Sequence, residues 1–110
     1  MNTIETRIAE RTSPHSVEAD EVRRVDVLNG HAEEACPRDA DRAHEMAQEA
    51  WRLASSAGYT EGVARALMTI ATLRNGQGES GDARRLAQEA LELYENAGDK
   101  RGQCNALNLM

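Results

Sequence analysis

The sequence predicts an all-α protein, a stack of helical hairpins with about five helices, and three observations predict it. No segment alternates apolar and polar residues with period two. Small and aliphatic residues recur instead at spacings of three and four, the period of a helix with one buried stripe. Finally, the stretch "LAQEALELYENAGDKRGQCNAL" at 86–107 closely repeats "MAQEAWRLASSAGYTEGVARAL" at 46–67, forty residues upstream.

Residues 1–16 form a polar leader in which Ile4 and Ile8 are a lone apolar pair, followed by the helix-breaking "TSPHS" around Pro14; this leader is expected to be flexible. The repeat domain is expected over 17–110. Its first helix runs from about Val17 to Ala35, with Val22, Val25, Val27, Leu28, Ala32 and Ala35 inward, and Pro37 closes it because a residue before proline is pushed out of the helical region. Asp39 or Asp41 caps the second, whose inner stripe is Ala43, Met46, Ala47, Ala50, Trp51, Ala54 and Ala57, and Gly58 ends it as a left-handed cap. Thr60 and Glu61 open the third, burying Val63, Ala66, Leu67, Ile70, Ala71 and Leu73, until "NGQGESGD" stops it. Ser80 or Asp82 caps the fourth, with Ala83, Leu86, Ala87, Ala90, Leu91, Tyr94 and Ala97 inside and Gly98 repeating the cap of Gly58. A fifth starts near Asp99, and the sequence stops within it, mid-repeat.

At an offset of 40, residues 43–70 and 83–110 match without gaps at 11 of 28 positions. Both copies carry "AQEA", then Leu53 or Leu93, an Ala-Gly pair, Gly62 or Gly102, and a closing Ala-Leu. A fixed period of this size marks a helical solenoid, in which each hairpin has an apolar face that only the next can cover. The glycines at 62 and 102 stand inside helices, where glycine costs up to about 1 kcal/mol relative to alanine, so a tight crossing with the preceding helix is expected at both.

From Ala66 the chain reads "AL..IA......G....A...A..A", placing Leu67, Ile70, Ala71, Gly78, Ala83, Ala87 and Ala90 at characteristic spacings. This pattern resembles the tetratricopeptide repeat family. Leu28, Ala32, Ala43, Ala47 and Ala50 look like the preceding repeat and Ala106, Leu107 and Met110 like the start of the following one, so the resemblance covers roughly residues 20–110. Arg74, Ala87 and His31 depart from it. It implies a right-handed solenoid of about two and a half hairpins, with helices extended beyond the family's usual period of about 34 residues. Similar long repeats stand in front of bacterial nucleotide cyclases, sensor kinases and transcriptional regulators. By that analogy the chain is the N-terminal regulatory part of a larger bacterial signalling protein.

The 110 residues suit a single domain, and with no Phe and 3% aromatic residues its core must be built from Ala, Leu, Val, Ile and Met. A net charge of −6 argues against a nucleic-acid binder and against a polybasic membrane anchor. With no apolar run long enough for a signal peptide or a membrane span, the chain is placed in the cytoplasm. Cys36 and Cys104 are expected to be free thiols, Cys36 the more exposed and Cys104 a packing residue like Ala64, with which it aligns.

No chemistry is expected. "GQGESGD" lacks the GK[ST] ending of a phosphate loop, and "HAEEA" and "AHEMAQEA" lack the second histidine of a zinc-binding HExxH helix, leaving His15, His31 and His44 as surface or half-buried residues. Neither a metal nor a cofactor is expected, and the protein is read as no enzyme. Trp51 is read as core.

The resemblance also implies where a partner binds. In tetratricopeptide arrays the first helix of each hairpin lines a concave face that holds a protein or peptide segment. Carried over, those positions are Asp26, Asn29 and Glu33, then Arg65, Met68, Thr69, Thr72 and Asn75, then Asn105, Asn108 and Leu109. The paired basic residues of the chaperone-binding members are absent. The alternative is a structural, self-associating role, because helix five presents Leu107, Leu109 and Met110 with no second helix to cover them; each large side chain left in water forgoes roughly 1.5–3 kcal/mol.

Overall fold

Alanine decides how these helices meet. The computed structural model describes residues 14–110, with side chains from residue 19 onward, and every regular element among them is helical. The five are α1 (Pro14–Ala35), α2 (Ala40–Ala57), α3 (Thr60–Gly76), α4 (Ser80–Ala97) and α5 (Lys100–Leu109). Residues 1–13, with the Ile4–Ile8 pair, lie outside the described residues. None of the helices is long and apolar enough to cross a membrane.

α1 begins at Pro14, three residues before the expected start. A proline suits the first helical position, where its fixed φ is already helical and its missing N–H has no intrahelical partner to lose. Asp39 caps α2 by accepting from the Arg42 N–H at 3.2 Å, and Asp99 caps α5 by accepting from the Gly102 N–H at 2.9 Å. Thr60 opens α3 as expected, whereas neither Ser80 nor Asp82 is the cap of α4. Thr60 and Ser80 are each the first residue of their helix, and Tyr59 and Glu79 stand at the cap positions without a side-chain capping bond.

Gly58, Gly78 and Gly98, each twenty residues after the last, all have positive φ, at 70°, 83° and 73°. After each, the next N–H reaches back to a carbonyl five residues earlier: Tyr59 to Ala54 at 2.8 Å, Glu79 to Arg74 at 2.9 Å and Asp99 to Tyr94 at 2.9 Å. Three successive helix ends thus share one left-handed closure, which satisfies carbonyls that would otherwise be orphaned. The α1–α2 turn differs. There the Asp39 N–H bonds to the Ala35 carbonyl at 2.7 Å, with Pro37 in the turn and no glycine.

Each helix packs on the next, and α1 and α5 both also touch α3. The result is elongated, 62 × 28 × 18 Å, with a radius of gyration of 16.4 Å where a globule of about 100 residues would have about 13 Å. Two apolar clusters share Val63 of α3. One is built on Val25, Ala50, Ala54 and Ala66, the other on Ala64, Leu67, Ala90, Tyr94 and Ala106. Because α3 is covered on two sides, it buries Ala64 and Thr69 as well as Ala66, Leu67, Ala71 and Leu73, whereas Val63 and Ile70 are only half-buried. A single-stripe reading of this helix is therefore too narrow.

Other inward assignments fail at the surface. Val27 is 52% exposed and Trp51 44%, so Trp51 is not core, and Ala97 is exposed. On α2 and α4 the alanines at 43, 47, 50, 54 and at 83, 87, 90 carry the buried seam, and the larger Met46, Leu86 and Leu91 flank it half-exposed. The thiols also reverse their expected order: Cys36 is half-buried and Cys104 exposed.

Glycine makes the closest approaches. A Cβ on Gly62 would lie 2.6 Å from both Tyr59 Cδ2 and Val25 Cγ1, and one on Gly102 would overlap the Tyr94 ring. So the crossing expected at Gly102 is made with α4, while Gly62 meets α1 and the inter-helix Tyr59. Beside Gly62, the fully buried Asn29 of α1 donates from Nδ2 to the Gly62 carbonyl at 3.1 Å, and its Oδ1 has no partner among the described residues. Gly30 and Gly81 have open space where a Cβ would stand. Gly62→Ala and Gly102→Ala should therefore each destabilise by about 1–3 kcal/mol through overpacking, whereas Gly30→Ala should stabilise by about 0.5–1 kcal/mol through helix propensity. Urea midpoints of the three variants check the contrast, and equal shifts would contradict it.

Candidate binding concavity

α1, α3 and α5 bring their side chains together on one side of the molecule. An open concavity of about 230 Å³ is lined there by Glu33 from the end of α1 and Cys36 just after it, Arg65, Met68, Thr69 and Thr72 from α3, Tyr94 from α4 and Asn105 from α5. Six of the eleven positions chosen from the sequence meet in it. Asp26, Asn29, Asn75, Asn108 and Leu109 do not. Asn29 is sealed between α1 and α3, holding the Gly62 carbonyl, and Asn108 is exposed outside the lining. Asn75 is likewise exposed elsewhere, and Thr69, although it contributes to the lining, is 5% exposed.

Arg65 is held as well as displayed. Its Nε and one terminal nitrogen donate to the two Glu33 carboxylate oxygens at 3.1 and 2.9 Å, and another terminal nitrogen lies 3.7 Å from Asp26. This fork is the arrangement in which a guanidinium and a carboxylate bind most specifically, and hydrogen bonding to Glu33 raises the Arg65 pKa further. Asp26 also accepts from the Tyr59 hydroxyl at 2.8 Å. The chain Glu33–Arg65–Asp26–Tyr59 therefore ties α1 to α3 along the rim. Both threonine hydroxyls are occupied within α3, Thr69 donating to the Arg65 carbonyl at 3.3 Å and Thr72 to that of Met68 at 2.9 Å.

Spacing sets Tyr94 on the inner face of its helix, and its ring does seat on Gly102. Yet the same residue lines the concavity, and sequence spacing gave no sign of that double position. Burial pushes its phenol up to about 12, helped by the negative field of Asp99 and, more weakly, Glu33 and Glu61, with Arg65 opposing. Burial and the bond to Asp26 likewise push Tyr59 up to about 12. Glu61 is raised by burial and then by the negative field of Asp99. Burial also raises the Cys36 thiol, leaving less thiolate to react.

At about 230 Å³ and open to water, the concavity is below the range of roughly 300–1,000 Å³ that encloses a drug-sized ligand. It fits a side chain or two of a longer segment. No group of three or more His, Cys, Asp or Glu suited to a metal occurs among the described residues. His31 is exposed and His44 half-buried, and the side chain of His15 lies outside the described residues. Of the residues expected at the C-terminal face, Leu107 is 56% and Met110 40% exposed, and Leu109 is half-buried.

Compared with family models, curated proteins and solved structures, the chain matches none of them.

The two raised phenols set an alkaline limit on stability. A tyrosine whose folded value lies near 12, above its ordinary 10, favours folding while protonated, so that contribution is complete below pH 10 and is lost as the pH rises from 10 to 12. Denaturant midpoints should fall across that window, and Tyr94→Phe, which keeps the ring on Gly102, should reduce the fall. Phenolate absorbance titrating near 10 for both tyrosines would contradict this.

Proposed function

We propose that the protein is a non-catalytic interaction module that holds an extended segment of a protein partner in the concavity between α1, α3 and α5. The observation that carries this reading is that Glu33, Arg65, Met68, Thr69, Thr72 and Asn105, on three helices distant in sequence, line one hollow. Such a hollow is rigid because its walls are held by Ala and Gly seams and by the Arg65 fork, so a partner segment meets preordered side chains and little ordering cost falls on the module.

In this reading the five helices are hairpins of a right-handed tetratricopeptide-like solenoid. Packing of each helix on the next, with α3 also touching α1 and α5, supports it, as does the common closure at Gly58, Gly78 and Gly98. By analogy with long repeats of this type, the module is the N-terminal regulatory part of a larger cytoplasmic signalling protein. A photo-crosslinking amino acid at Thr72, inside the hollow, should capture a partner in producing cells. The same group at Gln88, exposed on α4 and outside the lining, should not; capture from Gln88 alone would overturn the reading.

A second reading, self-association through α5, is favoured by one comparison within the chain. Leu67 of α3 is 6% exposed beneath α4, whereas Leu107, its counterpart forty residues on, is 56% exposed. Ala64 is likewise buried, and its counterpart Cys104 is exposed. Light scattering at high protein concentration should show a dimer that Leu107→Glu converts to monomer without lowering the melting temperature. A monomer at every concentration would exclude this contact.

A further inference from the structure

The charged groups that line the concavity are already spent on each other. Glu33 and Arg65 are the two ionised side chains in its lining, and the fork between them, at 3.1 and 2.9 Å, takes both carboxylate oxygens and two of the three guanidinium nitrogens. The third nitrogen lies 3.7 Å from Asp26. The hydroxyls of Thr69 and Thr72 donate to carbonyls of their own helix. What remains to meet an occupant is neutral: the half-buried Met68 and Cys36, the part of Tyr94 that reaches the wall, and the Asn105 amide. A charged side chain entering the hollow has to break the fork before it finds a partner, and so gives up the strongest polar contact in the wall.

We propose that the partner segment is uncharged where it enters the concavity and seats an aromatic side chain there, against Met68 and Cys36. This rests on the reading of the hollow as a peptide site and adds the chemistry of its occupant. Two sulphur-bearing side chains, one from α3 and one from just after α1, line the same small space. Divalent sulphur packs favourably against an aromatic ring, whereas an aliphatic side chain offers it dispersion alone. Burial raises both the Cys36 thiol and the Tyr94 phenol, so neither adds a charge to the wall at neutral pH. A ring also carries its contact area on two side-chain torsions, and anchoring it costs less ordering than anchoring a long flexible chain.

A random dodecapeptide library displayed on phage, depleted on the bare support and then panned on the full chain, tests this. Selected peptides should be enriched in Phe, Tyr or Trp flanked by uncharged residues. A synthetic copy should shift the amide resonances of Arg65, Thr72, Tyr94 and Asn105, and its affinity should stay within about twofold as salt is raised, since no ion pair is there to be screened. Met68→Leu, a volume-conserving change that the fold tolerates, should weaken that copy by about threefold through the lost sulphur contact, and Cys36→Ser should do the same. Replacing the ring of the peptide by leucine should abolish the effect of Met68→Leu, because the two changes remove one contact. Unchanged affinity in either variant would overturn the seat against the two sulphurs. Aliphatic or charged selected peptides that shift the same four residues would overturn the aromatic occupant and leave the peptide site standing. Peptides that shift only other residues, or no enrichment at all, would overturn both.

Discussion

Several of the contacts that join α3 to its neighbours are made by groups no larger than a methyl. Ala66 meets the cluster of α1 and α2, Ala64 meets α4 and α5, and Gly62 has no side chain at all where Val25 and Tyr59 press against it. Close approach of this kind lets many weak dispersion contacts accumulate between backbones, and it leaves no slack, since any added atom must displace a ring or a helix. The hollow follows from it. α1 and α5 can both reach α3 only because the seams are thin, and the third side of the molecule, where no alanine stripe draws a helix in, is left open as the concavity.

Much of this was legible in the sequence, because a helix covered on one side writes its burial as a single stripe. α2 and α4 are such helices, and their alanines at 43, 47, 50, 54 and 83, 87, 90 are buried as their spacing implied. α3 is covered on two sides, so its pattern merges two stripes, and reading one of them misses Ala64 and Thr69. Helix ends closed by Gly58 and Gly98 were equally plain, since only glycine adopts positive φ at little cost. Trp51 misled for the opposite reason. It occupies the place of Leu91, which is itself only half-buried on the flank of its seam, and a larger side chain on a flank turns outward.

The candidate site divides along the same line. Positions facing the hollow from α3 follow from helical periodicity once the face is chosen, which is why Arg65, Met68 and Thr72 fall together. Asn29 does not, because the choice between lining a groove and bonding a backbone carbonyl depends on how near Gly62 comes, a distance that no spacing encodes. The nearness of Asp99 to Glu61 was equally hidden. Glu61 and Asp99 are 38 positions apart and become neighbours only when α5 turns back along α3.

Departures from the repeat are where the two halves of the chain acquire different roles. Both internal glycines receive a tyrosine ring, yet from different places: Gly62 takes Tyr59 from the turn before it, and Gly102 takes Tyr94 from the body of α4. In the register of the repeat, Tyr59 corresponds to Asp99 and Tyr94 to Ala54. The exchange preserves the packing, one ring per glycine, and moves a carboxylate to the cap of α5 while bringing a phenol to the wall of the hollow. A strictly repeated sequence would have placed the same group at both turns, with either two carboxylates or two rings at the rim. By trading their places, the chain keeps one ring seated at each crossing and sets the ring of Tyr94 in the wall of the hollow.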